Sequence, residues 1–207
     1  MLNSTKAPTP KIQLSKALYA HDGVLKLNKY VSILRGINVS GQKKIKMVDL
    51  KLLYESVGFS GVSTYIQSGN VIFDCKNEDI AKVESRITKA IEKEYGFHVP
   101  VIVRTAEELT RILGGVPYKG IDIDTDGTKV LITFLSGTPE KALVAGIKKY
   151  VVEPEEMIVS GSSVYLHCPN GYGRTKLSNN FIESKLNVSA TTRNLKTLAK
   201  LCELAYV

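Results

Sequence analysis

Two short apolar runs, VSTYI (62–66) and VIFDC (71–75), flank the turn-forming tetrapeptide Gln67-Ser68-Gly69-Asn70. This spacing predicts a β-hairpin, and its flanks restrict the fold sharply. On the N-terminal side, KMVDLKLLYESVG (46–58) sets Met47, Leu50, Leu53, Tyr54 and Val57 on one helical face, with Gly58 as the stop. On the C-terminal side, Ile80, Val83, Ile87, Ala90 and Ile91 mark a second helix ending before Gly96. Outside both helices lie the strand-like runs YVSILRG (30–36) and VPVIVR (99–104). The order is β-α-β-β-α-β, the ferredoxin-like pattern. Its last strand is an edge strand, and Pro100 fits there because it withholds a ladder donor.

After a short helix, AEELTRILGG (106–115), and a turn-rich linker with three aspartates (116–128), the order restarts. KVLITFL (129–135) reads as a strand, TPEKALVAGIKKY (138–150) as a helix and MIVSGSSVYLHC (157–168) as a hairpin. Helices are predicted over Thr175–Leu186 and from Thr192 to about Ala205, so the second half reads β-α-β-β-α-α. Val71, Phe73 and Cys75 match Val164, Leu166 and Cys168 at a constant offset of 93, which suggests duplication. The expected fold class is therefore α+β: two ferredoxin-like halves with antiparallel sheets. The expected organisation is a basic, mobile extension over residues 1–29, subdomains over 30–115 and 129–207, and a linker between them.

Charge narrows the partners. The chain carries a formal +8, but residues 1–29 hold five lysines against one aspartate, so half of the excess lies in the extension. A second basic cluster, Arg174, Lys176, Lys185, Arg193, Lys196 and Lys200, is opposed only by Glu183 between residues 174 and 200. Basic patches favour anionic partners. The apolar runs are too short to span a membrane, and the N-terminus lacks a secretory apolar core. Three widely spaced cysteines suggest reduced thiols, and the expected location is the cytoplasm. Cysteine and histidine spacing offers no zinc set, and Asp122, Asp124 and Asp126 do not form an EF-hand loop. Neither a metal nor a cofactor is expected. No Ser/His/Asp set can be assembled, and His167 and Cys168, adjacent on a strand, point to opposite faces.

Topology gathers the polar candidates. The loop after the first strand, RGINVSG (35–41), and the hairpin turn QSGN (67–70) fall at the same sheet end, so Arg35, Asn38, Gln67 and Asn70 should meet. Turn stabilisation by the asparagines and an ion pair for Arg35 are the alternatives. In CPNGYGRTKLSNNF (168–181), glycines precede a helix start flanked by Arg174 and Lys176. That suits a phosphate or carboxylate, and equally a strand-to-helix loop with two solvated cations. The spacing matches neither a Walker A loop nor a dinucleotide fingerprint. Lys176, Asn179, Asn180 and Glu183 share a helical face. In ATTRNLK (190–196), Thr192 reads as a helix cap with Arg193 and Asn194 in the first turn. A cation there opposes the helix dipole, so Arg193 should have a specific partner, a ligand anion or a protein carboxylate.

The strings YVSILRGINVSG, YIQSGNVIF and PNGYGRTKLSNNFIESKLNVSATTRN closely resemble a widespread bacterial family catalogued as domain of unknown function 1697, over roughly Lys29 to Leu204. Members begin near Tyr30, usually read Gly-Gly where this chain has Ser40-Gly41, and carry an Asn-Pro-Phe-like segment where this chain has GGVPYKG. The resemblance implies an α+β fold of two ferredoxin-like halves and no known activity.

The expected function is binding of a small anionic ligand, a phosphorylated one foremost, between the halves. Arg35, Asn38, Gln67 and Asn70 would serve from the first half, and Arg174, Lys176, Asn179, Arg193 and Asn194 from the second. Any catalysis would work by positioning and charge stabilisation, since no nucleophile or general base stands out. Two alternatives remain. One is an RNA-binding module, although VIFDC lacks the aromatic string such sheets use. The other is a structural or interaction protein whose unusual strings hold the halves together.

Overall fold

The computed structural model of the chain describes residues 27–76 and 78–206. The first half runs β1 (Leu27–Leu34), α1 (Met47–Ser56), β2 (Ser60–Tyr65), β3 (Asn70–Lys76), α2 (Ile80–Tyr95) and β4 (Val101–Thr105). Helix α3 (Ala106–Gly114) and a short α4 (Ile123–Asp126) bridge to the second half. That half runs β5 (Val130–Leu135), α5 (Lys141–Ile147), β6 (Glu156–Ser160), β7 (Ser163–His167), α6 (Asn179–Leu186), β8 (Ala190–Asn194) and α7 (Leu195–Leu204). Each half holds one four-stranded antiparallel sheet, in the orders β2-β3-β1-β4 and β6-β7-β5-β8.

The fold differs from the sequence expectation at four places. Strand β1 begins at Leu27, inside the segment expected to be an extension. The remainder of that extension, including a helical turn expected over Ile12–Tyr19, lies outside the described residues. Helix α6 starts at Asn179, because Tyr172–Arg174 form a 3₁₀ turn and the Ser178 hydroxyl accepts from Phe181 N to cap the helix. The linker holds α4, whose N-cap Asp122 accepts from Asp124 N and Thr125 N.

The fourth difference is the largest. Residues 190–194 form an edge strand along β5, where a helix start was expected. Two β-branched threonines suit that extended backbone. The cap of α7 is Asn194, which accepts from Thr197 N, rather than Thr192. The second half is therefore β-α-β-β-α-β followed by a helix, as the first half is followed by α3.

Three cores stack through the molecule. Tyr30, Leu34, Val71 and Phe73 on one face of the first sheet meet Leu50 and Tyr54 of α1 and Val83, Ile87 and Ile91 of α2. Leu131, Leu135, Val164 and Leu166 similarly meet Ile147 of α5 and Ile182 and Leu186 of α6. The other faces share a central core: Val31, Ile33, Ile72 and Ile102 join Val130, Ile132 and Phe134, together with Leu109 of α3 and Leu198 and Leu201 of α7. Strand alternation sends odd and even residues to opposite faces, so both faces of each sheet are covered.

The duplication is quantitative in the register. Ile33 pairs with Asn70 and Ile102, as Phe134 pairs with Ser163 and Thr191. Leu34 N donates to Gly69 O at 2.8 Å, and Leu135 N to Ser162 O at 2.9 Å. Val31 faces Arg104 on β4, and Ile132 faces Arg193 on β8. Thr105 and Asn194, the next residue in each case, cap the helix that follows. Arg104 and Arg193 are thus equivalent, as are Asn70 and Ser163.

Candidate functional site

Some of the polar residues singled out in the sequence, Arg35, Asn70 and Arg193, make bonds across the seam between the halves, and others do not. The loop after β1 and the β2–β3 turn do meet. Asn38 Nδ2 donates to Ile45 O and Gln67 O, both at 2.9 Å, and its Oδ1 accepts from Ile45 N at 2.9 Å. Asn38 therefore staples the loop to the turn with both ends of its amide. Gln67 contributes its carbonyl to that staple, and its side chain is exposed.

Arg35 crosses the seam. Its Nε and Nη2 donate to Glu183 Oε1 and Oε2 of α6 at 3.3 and 3.2 Å, and Nη2 also reaches Asn180 Oδ1 at 2.5 Å. Glu183 Oε1 also accepts from Ala190 N at 2.9 Å, so one carboxylate ties Arg35, α6 and the start of β8 together.

Arg193 does have a specific partner, and it is neither a ligand anion nor a carboxylate. On strand β8 its side chain is buried and reaches into the first half. Nε donates to Asn70 Oδ1 at 2.6 Å, while Nη2 donates to Leu34 O at 3.0 Å and Ser68 O at 2.5 Å. Nη1 donates to Thr192 O and Thr191 Oγ1 at 2.8 and 3.2 Å. Asn70, fully buried, turns its Nδ2 to Tyr65 O and Ser68 Oγ, both at 3.0 Å. Burial, with the nearby charge of Arg35 adding to it, pushes the Arg193 guanidinium down to about 10.

The remaining candidates divide. Asn179 Oδ1 accepts from Thr192 Oγ1 at 2.6 Å, and that hydroxyl also receives Tyr172 OH at 3.3 Å. Asn194 is occupied as the cap of α7. Arg174 and Lys176 are exposed, and neither side chain has a hydrogen bond or ion pair with the described residues. CPNGYGRTKLSNNF therefore reaches the first half through Asn180, while Tyr172 and Asn179 bond Thr192 of their own half and the two cations face solvent. Burial raises the Tyr172 phenol, and its bond with Thr192 and the charge of Arg35 pull the other way.

A cavity of about 530 Å³ opens at the seam beside Arg35, Ser40, Gln42, Lys43, Asn180 and Glu183. The loop that supplies Gly36, Ser40 and Lys43 to its wall has unusual backbone. Gly36, Asn38, Ser40, Gly41 and Lys43 all have positive φ, three of them without being glycine. Alternating left- and right-handed residues turn successive N–H groups to one side and make concavities that suit anions. Lys43 Nζ donates to His98 O at 2.7 Å, leaving two of its three protons for the cavity. Arg35 Nη1 is uncommitted, whereas Glu183 offsets much of its charge. Sequence reasoning missed Lys43; the signal was GINVSGQKK, where glycine, asparagine and serine recur at the spacing of a left-handed loop.

A cleft of about 600 Å³ between α3, the linker and α7 is of a different character. Leu113, Val116, Ile121, Ile123 and Leu195 line it, and the Tyr118 hydroxyl at its edge already donates to Tyr165 O at 2.8 Å. Among the described residues, no group of three His, Cys, Asp or Glu side chains gathers to hold a metal, and no helix is long and apolar enough to cross a membrane.

The model of a family described as protein of unknown function (DUF1697) matches residues 27–165. The solved structure of the conserved bacterial protein SP0830 from Streptococcus pneumoniae is similar, with a TM-score of 0.70 and 21% identity. The alignment covers 87% of this chain and 99% of that one. At that identity the likeness shows the fold alone. No curated protein matches the chain.

Proposed function

The chain belongs to the DUF1697 family of proteins of unknown function, and on that premise we propose that it binds a small anionic ligand, a phosphorylated one foremost, in the seam cavity between its halves. One observation carries the reading: of the five left-handed residues within Gly36–Lys43, three, Gly36, Ser40 and Lys43, line the cavity beside two cations, Lys43 and Arg35. Left-handed conformations at Ser40 and Lys43 cost energy, whereas Asn38 tolerates that region and is held there by its bonds to Ile45 and Gln67. The donors are Lys43 and Arg35 Nη1, with loop amides other than those of Asn38 and Gln42, which donate to Lys43 O and Val39 O. Arg174 and Lys176 on the neighbouring surface would draw an anion toward the seam without touching it. Asn38, Gln67, Asn70, Asn179, Arg193 and Asn194 then act at one remove, by holding loop and halves in place.

Calorimetric titration with inorganic phosphate, nucleotides and sugar phosphates tests the proposal. A charge-assisted hydrogen bond contributes about 1.5–3 kcal/mol, so Lys43→Gln should weaken a hit by roughly 10- to 100-fold. Arg174→Ala/Lys176→Ala should lower the association rate and its salt dependence. Binding that is unchanged in both variants would remove the seam from the account. The RNA-binding alternative loses its usual surface, because both faces of each sheet are covered. Arg193, one of the six cations in the C-terminal basic cluster, is also buried.

A further inference from the structure

The duplication supplies an internal reference for Arg104. Like Arg193, it is almost fully buried, at 8% and 9% exposure respectively. It also reaches into the opposite half: Nη2 donates to Leu135 O at 2.6 Å and Ser162 Oγ at 3.3 Å, and Nη1 to Val103 O at 2.8 Å. Leu135 and Ser162 are the equivalents of Leu34 and Gly69, so the two arginines make reciprocal crossings.

The two sites differ at Nε. Arg193 Nε is met by Asn70 Oδ1. At the equivalent of Asn70 stands Ser163, and Arg104 Nε has no acceptor among the described residues. It is not sealed in either, since among the described residues the buried side-chain atom without a partner is Arg86 Nε alone. Beside Ser163, the equivalent of Asn70, a polar cavity of about 320 Å³ opens. Arg111, Ser160, Ser162 and Ser163 line it with Arg104 and Glu108.

We infer that this cavity is a second anion site, in which a small oxyanion, carboxylate or phosphate, supplies to Arg104 Nε the oxygen that Asn70 supplies to Arg193. The donors suit it. Arg104 is held by its other nitrogens with Nε left open, and Arg111 is exposed on α3 with its guanidinium uncommitted. Two cations face one carboxylate within the lining. That carboxylate, Glu108, is engaged through Oε2 with Thr105 N at 2.9 Å. Glu84 also acts on Arg104, yet it lies outside the lining, with Oε1 on Val103 N at 2.8 Å. The serine hydroxyls can donate to the remaining oxygens of the ion. This site is separate from the Lys43 cavity and stands or falls independently.

The test is nuclear magnetic resonance of the full chain, following the Arg104 Nε–H signal during titration with inorganic phosphate or acetate at fixed ionic strength. A saturating shift with a Kd of about 1 mM, an ordinary strength for a bare ion, is expected for at least one of the two. Whichever binds identifies the oxyanion class. Arg111→Ala should weaken the response at least about tenfold, the loss of one charge-assisted bond. Ser163→Asn should abolish it by placing an amide oxygen where Asn70 has one. Lys43→Gln should leave it unchanged. An Arg104 signal that does not move with either ion overturns the proposal, as does undiminished binding in Arg111→Ala. Ser163→Asn tests the pairing with Asn70, and Arg111→Ala, altered at an exposed position, keeps the proposal falsifiable if the asparagine variant does not fold.

Discussion

Replacing Arg193 with methionine probes the bond network that joins the halves. The substitution strands three acceptors of the first half, Asn70 Oδ1, Leu34 O and Ser68 O. A buried acceptor without a partner costs about 1–3 kcal/mol, so the three together cost about 6 kcal/mol. The same change removes a buried charge. Burial pushes that guanidinium from 12.5 down to about 10, which at 1.36 kcal/mol per unit corresponds to about 3 kcal/mol recovered. The net expectation is a loss of about 3 kcal/mol. The chain has no tryptophan, so urea unfolding is best followed by far-ultraviolet circular dichroism. With a slope of about 2 kcal/mol/M, the midpoint should fall by about 1.5 M. Arg193→Lys should be at least as harmful, because it keeps the buried charge and gives up the planar fork that spans the three acceptors. A methionine variant within about 0.5 kcal/mol of the parent, or a lysine variant more stable than methionine, would refute the reasoning.

In the opposite half Arg104→Met strands Leu135 O and a serine hydroxyl beside an open cavity, and in its own half Val103 O, so it should cost about 2 kcal/mol in the same urea assay, less than Arg193→Met. Gly69→Ala meets two obstacles: φ is +76°, and a Cβ would lie 2.7 Å from Leu34 Cβ and 2.8 Å from Ile37 Cδ1. A loss of about 2–4 kcal/mol in thermal or urea unfolding is expected, and a neutral result would mean that the turn relaxes. Burial pushes the Cys168 and Cys202 thiols up to about 11 from 9.0. The folded state therefore holds protons that the unfolded chain releases, and stability should fall as pH rises from 9 toward 10; Arg193, whose folded value is about 10, acts in the opposite sense over that interval but offsets only part of the effect of the two thiols. Urea midpoints across that interval check the sign. At pH 8 a disulfide reagent should react with these thiols far more slowly in the native protein than in urea.

The elements that bury a regular face were legible in the sequence because period and burial coincide there. Val83, Ile87 and Ile91 recur at helical spacing and are all in the first core. Pro100 predicted an edge, and β4 is one. Strand β8 was not legible for a physical reason. Its five residues gain their partners from β5, more than fifty residues earlier, whereas Thr192 offers a local capping signal that any helix start could use. The demand that Arg193 find a partner was sound even though its premise, a helix dipole, was not. What the sequence could not show was that the partner would be Asn70, because the docking of the halves depends on the fit of two inner sheet faces.

The seam also explains why so many polar residues collected at one end of the sheet without forming a single ligand site. A duplicated unit brings two equivalent crossings, and each needs a group to satisfy an arginine that the central core has dehydrated. Asn70 and Ser68 close one crossing, and its bonds are all internal. At the other crossing the equivalents are Ser163 and Gly161, too short to close it, and solvent-accessible space remains. A single fold can hold its halves together through the closed crossing while leaving the open one for exchange with solutes, since a ligand there displaces water rather than structural bonds. Filling the open crossing with asparagine at position 163 should therefore do two things at once. It should remove the anion response of Arg104, and it should raise the urea midpoint by about the 0.5–1.5 kcal/mol of one added internal hydrogen bond. Loss of the response with a lowered midpoint would mean that the cavity is too narrow for the amide and that the two crossings are not equivalent in shape.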